Sequence, residues 1–363
     1  MQIFEVLMAD GYKKSKYNVV TVRPAEIFRK LAFNKDSLTK WLAYIDKFIL
    51  FPVKLLYFRF IKFILFKSVN YHICDHSNAF YLYFLPKNKT VITCHDVLAI
   101  RAGLGFSDTY CQTTKSGQVL QKIILSALSG AKKIAAVSDF TLNQLIEIDN
   151  KPRITKNWIT IHNSLSEKFV PLPEERIQLV LEKYQALKNR DIILHVGSDL
   201  ERKNRKLLIY MMAELKRDWD GLLVLAGEPL NPELVELSDK LNISNRIVQI
   251  HNPDNNEIIA LYSICQAMIF PSYSEGFGWP IIEAQACGAP VITSNKAPMM
   301  NEVGGTAALY ADPDNPSSFL DQFQKIRNKK FRNEMVIRGY ENAKRFDFNN
   351  TVNQYVQLIK NEA

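Results

Sequence analysis

The 363-residue chain has few glycines and prolines, 14 and 15, too few for a low-complexity or collagen-like polymer. Its five cysteines (Cys74, Cys94, Cys111, Cys265 and Cys287) are odd in number, and no two stand as Cys-x-x-Cys. That argues against a disulfide framework or a zinc site and for free thiols in a reducing compartment. The opening Met1–Met8 lacks a basic n-region and is too short for a signal-peptide core, so a cytoplasmic protein with a first strand at Ile3–Met8 is expected. No internal repeat of fixed period is present. Nor is there a clean apolar run of the roughly 20 residues a membrane span needs. The most apolar stretch, Phe48–Lys67, is interrupted by Lys54, Arg59 and Lys62, and Pro52 breaks its start.

What is present is ordinary globular composition, 47% hydrophobic and 23% charged, which excludes a disordered or fibrous chain. The length suits two domains, each with its own core. The net charge of +9 is unevenly spread. Residues 1–168 hold 24 Lys+Arg and 12 Asp+Glu, whereas the remainder holds 22 and 25. A first half at +12 suggests an anionic partner: nucleic acid, an acidic ligand or an anionic membrane surface.

Short apolar runs alternate with amphipathic stretches of helical length, such as Ser138–Ile148 and Arg205–Arg217. Beyond Ile3–Met8, strands are expected at Thr90–Cys94, Lys133–Val137, Trp158–Ile161, Ile192–Val196, Leu222–Ala226, Ile247–Ile250, Ala267–Phe270 and Val291–Ser294. Such alternation predicts parallel sheets covered by helices on both faces, α/β in class. These strands are too many for one compact sheet at these spacings, so two doubly wound domains are read. Pro171 and Pro173 mark the boundary near Phe169–Glu174. The division is therefore residues 1–168, residues 169–345, and a terminal helix over 346–363. Ligands of such sheets bind at the carboxyl ends of the strands, and the cleft between two such domains is the default site.

Counted at roughly 100° per residue, Lys54, Arg59, Lys62 and Lys67 fall on a broad arc of one helix, with Leu, Phe and Ile on the rest. This reads as a basic interfacial helix for an anionic membrane surface. The alternative is a core helix whose cations snorkel to the surface. The basic stretch is aliphatic and without a nucleic-acid fold signature, so no nucleic-acid partner is expected.

The richest motif runs from Phe270 to Val291, FPSYSEGFGWPIIEAQACGAPV. A strand ends at Phe270, a loop carries Glu275, Gly276 and Gly278, and a helix begins with Pro280 in its first turn and Gly288 at its end. Glycines let the backbone approach a ligand, and the helix start offers unpaired N–H groups to an anion such as phosphate. Glu275 and Glu283 suit a polyol, a sugar or a ribose, because a carboxylate accepts two hydroxyl hydrogen bonds. A second motif, His195-Val-Gly197-Ser-Asp-Leu-Glu-Arg202-Lys203-Asn204, follows another strand. Gly197 permits close approach there, and Arg202 and Lys203 supply cations suited to an anionic ligand. In the first half, His95-Asp96 ends an apolar strand. Ser138 is read simply as a helix cap.

These motifs resemble the signature of family 4 (group 1) retaining glycosyltransferases, closely over residues 190–312 and more loosely over residues 1–165. The resemblance implies the GT-B arrangement of two facing Rossmann-like domains. It implies that Glu275 contacts the donor sugar, that Glu283 contacts the ribose, and that the N–H groups around Gly276, Phe277 and Gly278 cradle sugar and phosphate. His95 would lie beside the reacting sugar, with Asp96 orienting its imidazole. Asn301-Glu302-Val303-Gly304 matches a Pro-Glu-Val-like loop without the proline. The usual double-glycine loop after the first strand is replaced by Ala9-Asp10-Gly11-Tyr12-Lys13-Lys14.

The expectation is a cofactor-free, metal-independent transferase that moves a sugar from a nucleotide-diphosphate donor to a hydroxyl acceptor with retention. The cleft motifs contain no Asp-x-Asp pair for a divalent metal. Its acceptor would be a glycolipid or lipid-linked saccharide in lipopolysaccharide or polysaccharide synthesis, with the enzyme peripheral on the inner face of the cell membrane. The alternatives are a non-catalytic subunit binding nucleotide sugar and membrane, and a GT-B nucleotide-sugar epimerase.

Overall fold

The computed structural model describes residues 2–28, 36–65, 68–149, 157–165, 168–215 and 218–361. Two wholly parallel sheets organise them. The first has four strands in the order β1-β2-β3-β4: β1 (Tyr71–Ile73), β2 (Thr90–Cys94), β3 (Lys133–Ala136) and β4 (Asn157–Thr160). The second contains β5 (Ile192–Gly197), β6 (Leu222–Gly227), β7 (Ile247–His251), β8 (Ala267–Phe270), β9 (Val291–Ser294) and β10 (Leu309–Ala311). Its spatial order is β10-β9-β8-β5-β6-β7. The first strand lies in the middle, the next two run to one side and the last three to the other. This doubly wound order has its switch point between β5 and β8, where ligands of such sheets bind.

The second sheet is buried on both faces. Ile192 and Leu194 of β5 join one apolar cluster with Ile281 and Ile282, while Ile193 joins another with Leu207, Leu208 and Phe319. Successive side chains point to opposite faces, so a strand covered on both sides reads as a continuous apolar run.

One expected strand is a helix. Gln2–Lys14 is α-helical, and its Phe4, Met8 and Tyr12 are buried while Ile3 and Val6 are exposed. Burial at every fourth residue is helical spacing. The crowded run at residues 3–8 hid this period, because a short continuous apolar run fits a buried strand as well as a helix. Ala9–Lys14, read as a loop with one glycine, is therefore the end of this helix. The C-terminal helix Phe348–Lys360 packs beside it on the first sheet. Phe4, Met8, Val352 and Tyr355 share a cluster with Val91 and Ala135, and the Tyr355 hydroxyl lies 2.9 Å from Thr93 Oγ1. The chain thus leaves the second sheet and crosses back to the first.

The stretch from Asp46 to Ile64 is helical throughout, a π turn at Asp46–Leu50 leading into an α-helix at Phe51–Ile64. Pro52 occupies its first turn rather than ending it. Phe51 and Leu55 are buried, whereas Val53, Leu56, Tyr57, Phe60, Phe63 and Ile64 are exposed. Those six fall within an arc of about 120° at 100° per residue, an outward apolar stripe. Lys54 stands exposed beside it, and Arg59 and Lys62 are half-buried. Lys67 of the expected basic arc and Arg217 of the expected helix lie outside the described residues. Among the described residues no helix is long and apolar enough to cross a membrane.

Candidate functional site

The two motifs of the second half meet at the switch point. The loop after β5 carries Arg202 and Lys203, and the loop after β8 carries Glu275. Lys203 Nζ lies 2.7 Å from Glu275 Oε1, and Arg202 Nη1 lies 2.6 Å from Glu275 Oε2. The loops are also joined through their backbones, Tyr273 N–H donating to Arg202 O at 2.8 Å. Lys203 and Glu275 are both buried. Burial opposes the Glu275 carboxylate, but Lys203 and Arg202 together outweigh it and hold its pKa below the ordinary value. Burial likewise drives the Lys203 pKa down against the pull of Glu275. Two cations on one carboxylate leave a net positive charge in a poorly hydrated place. Desolvation makes such a charge costly until an anion meets it.

Backbone close approach fixes the glycines. A Cβ on Gly227, at φ +137°, would stand 2.2 Å from the Gly197 carbonyl oxygen. Gly278, at φ +108°, precedes the helix Trp279–Ala286, where few side chains could adopt that backbone conformation. The Phe277 side chain does not face the cleft. It is buried against Phe346 and His162, with ring centroids at 5.6 and 6.0 Å, so only its backbone is free for a ligand.

Glu283 sits in the helix after Gly278, partly buried, and accepts from the Tyr262 hydroxyl at 3.3 Å. Burial raises its pKa to about 7.

The first half meets this site at the end of β2, among other places. A Cβ on Gly276 would fall 1.8 Å from the His95 carbonyl oxygen, so the β8 loop lies directly on the end of β2. The His95 ring is held by Cys74, its Nε2 donating to the Cys74 carbonyl at 2.9 Å. Burial keeps it neutral, with a pKa near 4. Asp96 does not orient it as expected. Asp96 Oδ1 accepts the Leu98 N–H at 3.1 Å and lies 3.9 Å from His76 Nε2. The turn at Val97 directs that carboxylate to its own following helix.

The comparisons agree with this geometry. Residues 178–345 match the family of glycosyl transferases group 1. That segment spans β5 to β10 and holds every expected donor-side residue, Gly197 through Glu283. The O-antigen chain mannosyltransferase B of Escherichia coli is 28% identical over 285 residues, covering 77% of this chain and 72% of its own length. The chain is a glycosyltransferase of the GT-B fold. It spans about a third of the longer Escherichia coli mannosyltransferases that also match, 32–33% of their length. Among solved structures, WaaG, a glycosyltransferase involved in lipopolysaccharide biosynthesis, superposes with a TM-score of 0.69 at 12% identity over 99% of this chain and 95% of that one. HepE of Anabaena in complex with UDP-glucose gives 0.63 at 18%, over 77% and 74%.

Several residues of this glycosyltransferase that draw the site together escaped sequence reasoning. Arg205 is buried and ties three strand-end groups: Glu228 O at 2.7 Å, Gly197 O at 2.5 Å and Asp199 at 3.5 Å. Its place two residues beyond Lys203, at a helix start, was the available signal. Ser138 does cap its helix through Thr141 N at 3.0 Å, but its hydroxyl also donates to Gly276 O at 2.6 Å. Tyr110 of the first half stacks on Tyr273 of the β8 loop, centroids 4.5 Å apart and rings 11° from parallel. No local spacing announces either cross-half contact.

Proposed function

We propose that this glycosyltransferase moves a hexose from a nucleotide-diphosphate donor to a hydroxyl of a lipid-linked saccharide, with retention at the anomeric carbon. The observation that carries the reading is the cluster of Arg202 with the buried Glu275 and Lys203 at the switch point, two cations on one carboxylate beside the glycine-rich start of a helix. A diphosphate supplies the missing negative charge. Arg202, Lys203 and the N–H groups around Gly276–Gly278 take the charge that develops on it, without a metal ion or cofactor. Gly197 leaves room for the phosphates, and Glu283 accepts from the ribose hydroxyls.

In the step itself the bond between the anomeric carbon and the acceptor oxygen forms as the bond to the diphosphate oxygen breaks. The acceptor enters on the face the nucleotide leaves, and its proton passes to the departing phosphate oxygen. The products are the glycoside and the nucleoside diphosphate. Glu275 positions the sugar, and His95, neutral with its Nε2–H given to Cys74, can accept a hydrogen bond through Nδ1 beside it; Asp96 follows it at the end of β2. The mannosyltransferases among the relatives make mannose the first sugar to test.

The membrane reading rests on the exposed stripe of the helix Phe51–Ile64. Beside it lies an open groove of about 400 Å³ lined by Leu56, Phe60 and Phe63 with Arg59, Lys62 and Lys89. Apolar surface rimmed by cations is complementary to anionic lipid, which supports a peripheral membrane location for this enzyme.

The test is a thermal-shift and hydrolysis screen of UDP-, GDP- and ADP-sugars, repeated in excess EDTA. One donor should stabilise the protein and be turned over with EDTA present. Lys203→Ala and Glu275→Ala should each lower turnover at least 100-fold, about 2.7 kcal/mol. Near-normal rates in both variants would remove the site assignment, and loss of turnover in EDTA would remove metal independence.

A further inference from the structure

Glu302 lies in the turn Met299–Gly304 of the second half, yet its carboxylate serves the first half. Oε2 accepts the Asp139 N–H at 2.6 Å, and Oε1 accepts the Phe140 N–H at 2.9 Å. These are the opening residues of the helix Asp139–Ile148, whose first amides have no partner within the helix. A carboxylate there makes charge-assisted hydrogen bonds at the positive end of the helix dipole. His162 Nε2, from the chain after β4, adds a contact at 3.3 Å. The same helix end holds a second part of the second half. Ser138 Oγ and Thr141 Oγ1 both donate to the Gly276 carbonyl, at 2.6 and 3.1 Å. One helix terminus thus receives Glu302 and Gly276 together, with Gly276 already pressed on His95.

We propose that Glu302 is a positioning residue for sugar transfer. By capping a helix of the facing half, it holds the Gly276–Gly278 donor cradle in register with His95. Asp139, the nearest acid on that helix, cannot substitute, because its Oδ1 is engaged by the Thr160 hydroxyl. Every contact of the Glu302 carboxylate named here lies in the first half, so all are lost when the halves separate. The side chain therefore stabilises the closed arrangement while leaving the nucleotide site of the second half intact. This inference rests on the transferase reading above and adds a residue to it.

The decisive variant is Glu302→Gln, which keeps shape but turns an amide NH2 toward one of the two backbone N–H donors. Turnover of the nucleotide sugar selected by the screen should fall at least tenfold. Affinity for the corresponding nucleoside diphosphate and the melting temperature should stay near the wild-type values. Small-angle scattering should register a larger radius of gyration. Thr141→Val should lower turnover by itself and add less than its full effect in the Glu302→Gln background, since both act through one docking event. A Glu302→Gln enzyme with turnover within twofold of wild type overturns the proposal and leaves the transferase reading standing. So does a parallel fall in nucleotide affinity and melting temperature, which marks a merely structural carboxylate. A wild-type protein that neither binds nor turns over any nucleotide sugar overturns the transferase reading and this proposal with it.

Discussion

Glu283 combines two demands that conflict near neutral pH. A ribose diol is bound best by a carboxylate that accepts from both hydroxyls. Burial favours the neutral acid and raises the group to about pH 7. For an acid raised in this way, folding is undisturbed below the unfolded value and loses stability as pH rises toward and through 7. Donor binding acts in the opposite sense, because ribose hydroxyls stabilise the ionised form. Affinity for a nucleoside diphosphate should therefore weaken as pH falls from 8 to 6, with protons released on binding. Calorimetry in two buffers of different ionisation enthalpy measures that release directly. Glu283→Gln should bind more weakly at pH 8 and show a flatter pH profile over this interval. An unchanged pH profile would place the ribose elsewhere. The three-membered cluster at Glu275 behaves differently, since Lys203 and Arg202 already keep that carboxylate ionised.

The N-terminal helix Gln2–Lys14 is the element the sequence misrepresented, and the reason is instructive. Its buried positions follow a helical period, but apolar residues at 3, 4, 6, 7 and 8 fill the gaps between them. Gly11 resembled a loop glycine, yet its role is packing. A Cβ there would stand 2.3 Å from Val352 Cγ2, so the glycine lets the C-terminal helix come close. Replacing Gly11 with Leu adds roughly 1 kcal/mol of helix propensity. The overpacking against Val352 and Phe348 costs about 1–3 kcal/mol, and more where the backbone resists, so the net effect should be destabilising. Urea unfolding should give a lower midpoint, and an unchanged or raised midpoint would mean the two helices separate freely. Strands with long apolar cores, such as β5 and β8, were legible because both faces are covered. The three-residue β1 and β10 were not, since Tyr71–Ile73 and Leu309–Ala311 are too short to set a period. The donor side of the site was legible because glycines, acids and cations cluster within two short loops. Glu302 and Ser138 stood apart from it in the reading, because their partners lie more than 130 residues away and only folding brings them together.

At the scale of the whole molecule, charge and exposed apolar surface coincide. The +12 half carries the outward stripe of the helix Phe51–Ile64, while the donor half is slightly acidic. Soluble proteins rarely leave so continuous an apolar face open without a partner. Each basic residue near an anionic membrane surface contributes about 1 kcal/mol, a contribution screened by salt. Lys54 and Lys62 are the residues to reverse, because Arg59 also donates to the Phe84 carbonyl and its loss would disturb packing. Reversal changes the sign of each term, so Lys54→Glu with Lys62→Glu should weaken binding to phosphatidylglycerol vesicles by about 4 kcal/mol at low salt, close to a thousandfold. Phe60→Ser with Phe63→Ser should weaken it by a different route, through lost insertion, and this loss should persist in high salt. Flotation at two ionic strengths separates the two terms. If the wild type floats and the charge-reversed protein floats equally, the helix Phe51–Ile64 is not the contact. If the wild type fails to float with anionic vesicles at low salt, the acceptor does not come from a membrane reached through this face.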